Sequence, residues 1–370
     1  MKVPLILGAG PAGCAAAIVL AEAGMRPVLL DRDAEARDPL CGGFLSWRTA
    51  EQLGALGVTP VGLGAAQVGQ VALFNGHREV VAPLPAPAFG LSRHALDSAL
   101  RRRALAAGAQ LEVDTARGIE GTDVIGRRRR WWGDTLFLAT GKHDLRGIGR
   151  SRPSRDPALG LRVRLPASPE RAALLRGRIE LHLFAGGYAG IVMQEDGSAN
   201  VCLAVRKSLL ARSGADPGRL LGDLWERYPA FARRLGNDWP AAPIEGIGAV
   251  PYGWIARSTS PGLFRLGDQA AVIPSLAGEG ISIALASGAL AARTWLQHGG
   301  KGAVAFQRRL AALARPALRT AWVARTLAES PLAAHAGLVL ANQVPAVLHW
   351  LIAGSRIAAD APLAPRPSAA

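Results

Sequence analysis

The strongest constraint on the fold of this 370-residue chain lies in its first 31 residues. The apolar stretch Val3–Leu7 leads into Gly8, Gly10 and Gly13, which follow the G-x-G-x-x-G spacing. Small, helix-forming residues come next, and a second apolar stretch ends at Asp31, 18 residues after Gly13. This order of strand, glycine turn, helix and strand is typical of a βαβ unit that binds a dinucleotide. In such a unit the pyrophosphate lies at the helix N-terminus, and the acidic residue accepts hydrogen bonds from a ribose.

A signal peptide is the alternative interpretation of the same stretch, because it follows Lys2 and is rich in alanine. A signal peptide needs neither a second strand nor an acidic residue at this offset, so the pattern favours nucleotide binding. No apolar run reaches the roughly 20 uninterrupted residues of a membrane-spanning helix. The three cysteines are too few and too scattered for a disulfide framework or a metal site. We therefore predict a cytoplasmic protein without a metal.

The formal net charge of +15 comes mostly from arginine and favours anionic ligands or an acidic membrane face. No nucleic-acid recognition motif accompanies this charge, so we predict no nucleic-acid partner. The apolar segment Val344–Ala358 has Trp350 and Arg356 at its edge. Two interpretations of it stay open: a helix packed on the core, or a helix that touches the inner face of the membrane.

Three later stretches carry further motifs. Leu91–Val113 has apolar residues at helical spacing, with Ser92 as the predicted N-cap. Asp134–Gly147 is a predicted buried strand that ends in a Thr-Gly turn. Gly262–Ala292 contains a strand, the pair Gly267-Asp268, a proline loop and a long helix of small residues.

With these motifs in this order, the chain resembles the FAD-dependent monooxygenases of the aromatic hydroxylase type and their relatives, the geranylgeranyl reductases. The resemblance covers residues 1 to about 295. It implies an α/β fold, in which a Rossmann-like FAD-binding domain carries an inserted antiparallel β-sheet substrate domain and C-terminal helices. The FAD-binding domain would comprise residues 1–75, 90–158 and 250–297. The substrate domain would comprise residues 76–89 and 159–249, and the helical region residues 298–370.

The resemblance also implies which residues bind FAD, which we expect to be held non-covalently. The glycine turn would hold the ADP part, the Gly-Asp pair the ribityl chain, and the loop before the long helix the isoalloxazine ring. The full predicted set is Gly8, Gly10, Pro11, Ala12, Gly13, Asp31, Arg32, Cys41, Gly42, Arg93, Thr140, Gly141, Gly267, Asp268, Pro274, Gly278, Gly280, Ile281 and Ser282.

Three stretches depart from the hydroxylases and are more similar to the reductases. Ala139-Thr140-Gly141 stands where hydroxylases usually have Asp-Gly, and the loop before the long helix reads AGEGIS instead of a Gly-Gly-rich version. The stretch CGGFLS, Cys41–Ser46, matches a Cys-Gly pair that the reductases carry near the flavin. The candidate catalytic residues are Cys41, Tyr252 and Trp254, although core packing is an equally good interpretation of each.

From these observations we predict an FAD-dependent monooxygenase. It would hydroxylate a lipophilic, apolar aromatic or polyketide-like small molecule, with O₂ as oxidant and NAD(P)H as a transiently docked electron donor. Two alternatives stay open. The first is a geranylgeranyl-reductase-type enzyme that reduces isoprenoid double bonds, and the second is a non-catalytic flavin-binding redox sensor.

Overall fold

A computed structural model of the protein describes residues 3–150 and 154–357. In chain order its strands are β1 (Leu5–Leu7), β2 (Val28–Asp31), β3 (Phe44–Leu45), β4 (Ala66–Asn75), β5 (Arg78–Gly90), β6 (Gln110–Val113), β7 (Ala116–Glu120), β8 (Asp123–Gly126), β9 (Arg130–Trp131), β10 (Leu136–Leu138), β11 (Ala158–Leu165), β12 (Gly177–Phe184), β13 (Gly187–Met193), β14 (Ala199–Arg206), β15 (Ile244–Val250) and β16 (Leu263–Arg265).

The α-helices connect or cover these strands. They are α1 (Pro11–Glu22), α2 (Trp47–Ala55), α3 (Arg93–Ala106), α4 (Pro169–Leu175), α5 (Lys207–Arg212), α6 (Pro217–Arg227), α7 (Pro229–Leu235), α8 (Gly280–His298), α9 (Ala303–Ala328), α10 (Pro331–Gln343) and α11 (Pro345–Gly354).

The first sheet has five parallel strands in the order β16-β10-β1-β2-β6. The strands β1 and β10 are apolar and fully buried, as expected where both faces of a parallel sheet are covered. Helices α1 and α8 cover one face, and they approach so closely that a Cβ on Gly288 would lie 2.1 Å from the Ala12 carbonyl oxygen. The small three-stranded sheet β7-β8-β9 covers the other face through Val124. The predicted Rossmann-like domain is thus confirmed.

The second sheet has eight strands in the order β15-β11-β14-β13-β12-β4-β5-β3. Its pairs are antiparallel except β12 with β4, which run parallel. The predicted domain boundary at residue 75 needs correction, because β4 forms a hairpin with β5 and belongs to this sheet. The hairpin turn lies between Asn75 and Arg78, so β4 and β5 are neighbours in one sheet and belong to the same domain.

Helices cover both faces of the second sheet. On one face, α6 and α7 pack on β11, β13 and β14 through residues such as Leu221 and Phe231. On the other face, α10 and α11 pack on β4, β5 and β12 through Leu338 and Leu348. The helical region predicted from residue 298 onward extends to Gly354, and its residues 358–370 lie outside the described part. Among the described residues no single helix is long and apolar enough to cross a membrane, although α10 and α11 together meet that length and composition across a 114° bend.

Candidate functional site

The predicted cofactor residues follow the carboxyl ends of four strands of the parallel sheet. Gly8 follows β1, Asp31 ends β2, Thr140 lies beyond β10, and Gly267 lies beyond β16. Because parallel strands end at one edge of their sheet, the fold brings these residues together. A cavity of about 920 Å³ opens along this edge.

Most of the predicted set lines this cavity. The lining members are Gly8, Gly10, Pro11, Ala12, Asp31, Arg32, Cys41, Gly42, Arg93, Thr140, Gly141, Gly267, Asp268, Gly278, Gly280 and Ile281. Gly13, Pro274 and Ser282 are not among the lining residues. A Cβ on Gly13 would lie 1.9 Å from the Gly8 carbonyl oxygen, so this glycine permits close packing of α1 on the turn. Ser282 is fully buried inside α8.

The glycine turn has the geometry that an anion-binding helix start requires. Gly8 has a φ of +105°, and a Cβ there would lie 2.4 Å from the Ala139 carbonyl oxygen, so only glycine fits. Helix α1 begins directly after Gly10 with Pro11 in its first turn and no side-chain cap. The first backbone N–H groups of α1 therefore keep no side-chain partner, and they lie at the positive end of the helix dipole.

Asp31 links the second strand to the glycine turn. Its Oδ2 accepts a hydrogen bond from the Ala9 backbone N–H at 2.7 Å and lies 3.3 Å from Nη2 of Arg101. Arg101 also donates from Nε to the Ala9 carbonyl oxygen at 3.0 Å. Sequence reasoning missed Arg101, because three consecutive arginines in α3 give no signal of which one turns inward.

Arg93 lines the cavity and is held by its own helix. Ser92 caps α3, as predicted, by accepting a hydrogen bond from the Ala95 backbone N–H. One turn later, Asp97 accepts from Nε and Nη2 of Arg93 at 2.9 and 2.7 Å. Burial lowers the pKa of the Arg93 guanidinium, but the Asp97 carboxylate outweighs burial and raises it above its ordinary value. Arg93 therefore presents a fixed positive charge beside Gly10.

The loop before α8 is built around glycines with different roles. Gly278 has a φ of +65°, and a Cβ there would lie 2.7 Å from Cδ1 of Phe44. Gly280, by contrast, has no heavy atom within 4 Å of an added Cβ and borders the cavity. Between them, the buried Glu279 accepts hydrogen bonds from Ser46 and Arg356, so the segment that follows α11 is tied to this loop.

Two tyrosines share one serine of this loop. Ser275 Oγ lies 2.6 Å from the Tyr188 hydroxyl and accepts a hydrogen bond from the Tyr252 hydroxyl at 2.8 Å. Burial raises the pKa of Tyr252 to about 12, and it raises that of Tyr188 well above its ordinary value. Both phenols therefore keep their protons at neutral pH. Sequence reasoning did not single out Tyr188 or Ser275 as members of a polar group.

The three catalytic candidates are separated by the structure. Tyr252 and the half-buried Cys41 line the cavity, and the Cys41 carbonyl oxygen accepts a hydrogen bond from Nδ2 of Asn200 at 3.0 Å. Trp254 is not among the lining residues, which agrees with the packing interpretation, one of the two left open for it. The chain turns at Gly253, which has a φ of +83°, and the Trp254 ring lies beneath the Arg265 guanidinium instead.

Comparison with known proteins adds independent information about this site. Residues 1–117 match the FAD binding domain family. The chain is 27% identical, over 326 residues, to digeranylgeranylglycerophospholipid reductase 2 of Methanopyrus kandleri, covering 78% of this chain and 75% of that protein. It is 28% identical, over 320 residues, to menaquinone reductase of Mycolicibacterium smegmatis, covering 80% and 76% respectively. In structure it is similar to PqsL, a probable FAD-dependent monooxygenase from Pseudomonas aeruginosa. The TM-score is 0.70 at 16% identity, over 91% of this chain and 99% of that one.

Residues 1–117 thus form an FAD binding domain, and the rest of the chain is similar to reductases in sequence and to a probable monooxygenase in fold. The chain is an FAD-dependent oxidoreductase, as predicted from the order of its motifs. The similar proteins include both reductases and a probable monooxygenase, so these similarities leave the reaction type open.

The cavity of this flavoprotein fits FAD. Gly42, Gly141 and Gly280 line it, and none of the three has a heavy atom within 4 Å of an added Cβ. Gly10 has only the tip of Arg93 within that range, at 3.7 Å. These glycines therefore border open space along a path from the glycine turn to the start of α8. Among residues 3–150 and 154–357 there is no cluster of three His, Cys, Asp or Glu side chains that could hold a metal ion.

Proposed function

We propose that this flavoprotein reduces a carbon–carbon double bond in a lipophilic, isoprenoid-type substrate. The observation that carries the proposal is the extent of the cavity. Beyond the cofactor edge it continues as an aliphatic slot between one face of the eight-stranded sheet and the helices α9, α10 and α11. Such a slot suits a long apolar chain, because its walls offer dispersion contacts along their length and few hydrogen bonds.

Aliphatic side chains form both walls of the slot. The sheet contributes Val71, Leu73, Ile179, Leu181 and Leu183, and the helices contribute Leu338, Ala341, Leu348, Leu351 and Ile352. An apolar substrate between these walls would displace water from the region next to the cofactor loop.

Reduction of a double bond requires a hydride equivalent and a proton. Bound, reduced FAD supplies the hydride equivalent. For the proton we propose Tyr252, which lines the cavity and stays protonated at neutral pH because burial raises its pKa to about 12. Ser275 accepts the Tyr252 hydrogen bond and is itself exposed, so a proton lost by Tyr252 can be replaced from solvent through the Ser275 hydroxyl.

The start of α8 has a second part in this proposal. Gly280 and Ile281 line the cavity, and α8 begins there without a side-chain cap. Free backbone N–H groups and the positive end of the helix dipole stabilise negative charge on a group bound beside them. The reductases among the relatives add support, since they are named for digeranylgeranylglycerophospholipid and menaquinone.

Hydroxylation, which the sequence analysis favoured, is the second candidate function. The same aliphatic walls would also suit an apolar aromatic substrate. In addition, the fold is similar to that of a probable monooxygenase. NAD(P)H as the electron donor stays a prediction in either case.

The test is turnover under anaerobic conditions. Reduced protein is mixed with a prenylated lipid in detergent, and products are analysed before and after O₂ is admitted. A saturated product formed without O₂ supports the proposal. A hydroxylated product formed only with O₂ would establish the second candidate, and absence of turnover with NADH, NADPH and dithionite would favour a redox sensor.

Matched tyrosine variants test the assignment of the proton donor. Tyr252→Phe keeps the ring and removes the hydroxyl, so flavin reduction should proceed normally while product formation slows by about 100-fold or more. Tyr228→Phe is the control, because Tyr228 lies under α6 and α7 on the opposite face of the sheet. Equal rates in both variants would remove Tyr252 from the reaction.

A further inference from the structure

The outward faces of α9, α10 and α11 carry an unusual share of exposed apolar side chains. Eleven large apolar side chains are exposed in the described part of the chain, and seven of them lie on these helices or at the α10–α11 junction. The seven, which we call the apolar face, are Trp322, Val323, Leu327, Leu332, Leu340, Val344 and Trp350. Large apolar residues gathered in one region indicate an interaction surface, whereas scattered ones need no explanation.

The aliphatic slot opens within this face. Leu327 and Leu340 belong to the exposed apolar residues, and both also line the cavity. A substrate that enters beside them passes directly from the apolar face into the slot. The cavity mouth and the exposed apolar residues are therefore parts of one surface.

The charges beside the apolar face have one dominant sign. Helix α9 exposes Arg308, Arg309, Arg315 and Arg319, all of which precede Trp322 and Val323. The spacing from Arg315 through Arg319 to Trp322 and Val323 places them on one side of the helix. The only acidic residue in α9, α10, α11 and their connections is Glu329, which is buried and paired with Arg206 and Arg325.

We propose that the apolar face docks on an anionic phospholipid bilayer, and that the lipid substrate enters the slot from the bilayer at Leu327 and Leu340. Apolar side chains flanked by arginines match a membrane surface, in which acyl chains lie beneath negatively charged head groups. The docking rests on the exposed residues themselves, and only the nature of the entering molecule rests on the proposed function. Of the segment Val344–Ala358, Val344 and Trp350 contribute to the face, while Leu348 is buried against the sheet and Ala358 lies outside the described residues.

Flotation with vesicles tests the docking, using the full chain loaded with FAD. Leu332→Asp and Trp350→Asp change exposed side chains, 85% and 65% accessible, that do not line the cavity. Each should lower partition onto phosphatidylglycerol-containing vesicles by roughly tenfold or more, since burial of one such side chain is lost and a charge is added. Arg315→Gln and Arg319→Gln should each lower it by roughly fivefold, and only on anionic vesicles.

Matched controls lie elsewhere on the surface. Val61→Asp and Trp132→Asp introduce the same charge at side chains that are 71% and 73% exposed, and both should float like the unchanged protein. Leu332→Asn provides a milder variant, and the flavin spectrum and melting temperature show whether each variant is folded. All variants of the apolar face should keep full activity on a short-chain prenyl alcohol in detergent.

Several results would overturn the proposal. One is wild-type protein that stays at the bottom of the gradient when anionic vesicles float at low salt. Another is an equal loss of flotation in the two control variants. A third is a self-associated protein that Trp350→Asp converts to monomer without any change in flotation, which would make the face a contact between copies. Failure of turnover on the detergent-solubilised alcohol, with flotation intact, would instead contradict the proposed function and leave docking standing.

Discussion

The substitution Gly280→Ala should separate contact with the cofactor from a packing role. In the structure no heavy atom lies within 4 Å of a Cβ added to Gly280, and its backbone conformation is open to alanine. Replacement of glycine by alanine in a helix contributes up to about 1 kcal/mol to stability, and less at the first turn. The melting temperature of the apoprotein should therefore stay the same or rise slightly.

Binding of FAD should respond in the opposite direction. The added methyl group projects into the cavity beside the start of α8, where the cofactor ring is predicted to lie. Overpacking by a methyl group in a closely fitted site costs about 1–3 kcal/mol. The dissociation constant for FAD should then rise by about 5- to 150-fold.

Titration of the apoprotein with FAD, beside thermal melting, measures both effects. Gly222→Ala is the matched control, since Gly222 lies in α6, away from the cavity, and also has nothing within 4 Å of an added Cβ. It should gain stability and bind FAD normally. An unchanged dissociation constant in Gly280→Ala would show that the cofactor does not contact this helix start. A lowered apoprotein melting temperature would show that a methyl group at Gly280 clashes with its surroundings, contrary to this reasoning.

Three further predictions concern cofactor binding and the pH dependence of stability. Asp31→Ala should raise the FAD dissociation constant by about 10- to 150-fold, and it should lower apoprotein stability because the Ala9 N–H loses its acceptor. Glu112→Ala is the control and should bind FAD normally. An unchanged dissociation constant in Asp31→Ala would remove Asp31 from the site. FAD should be non-covalent, so acid precipitation should release the yellow colour, and colour in the pellet would contradict this. Burial raises the pKa of Cys202 from 9.0 and of Tyr252 from 10.0, each to about 12. The unfolded chain releases these two protons at lower pH than the folded chain does, so the free energy of unfolding should fall as pH rises from 9 to 12. Urea titrations at several pH values measure this change. A free energy of unfolding that stays constant over this range would refute the prediction.

The cofactor edge could be predicted from sequence because its signals are local. Gly8 and Gly13 are adjacent to the strand and helix that they join, and Ser92 caps the helix that it precedes. The strand boundary at β4 could not be predicted in the same way. Residues 66–75 form an acceptable strand for either sheet, and only the pairing of β4 with β5 and β12 decides between them.

The substrate slot could not be predicted, because residues from distant parts of the chain form it. Leu73, Ile179 and Leu348 meet across it, and each alone has the pattern of an ordinary core residue. The polar group of Tyr188, Ser275 and Tyr252 has the same origin, since three separate segments supply its members. Trp254 stands two positions from the lining residue Tyr252 and does not line the cavity, and the residue between them is a glycine with a φ of +83°.

The loop Ser275–Gly280 connects the cofactor edge of the cavity with the substrate slot. Ser275 holds the hydroxyls of Tyr188 and Tyr252, while Gly280 borders the space that fits the cofactor. Arg356, which follows α11, donates hydrogen bonds to Ala277 and Glu279 in the same loop. The end of α11, which forms part of one wall of the slot, is therefore fixed to the loop that borders the cofactor site. A motif that identifies the cofactor thus leaves the reaction open, because the walls of the slot come from segments of the chain that lie outside the motif.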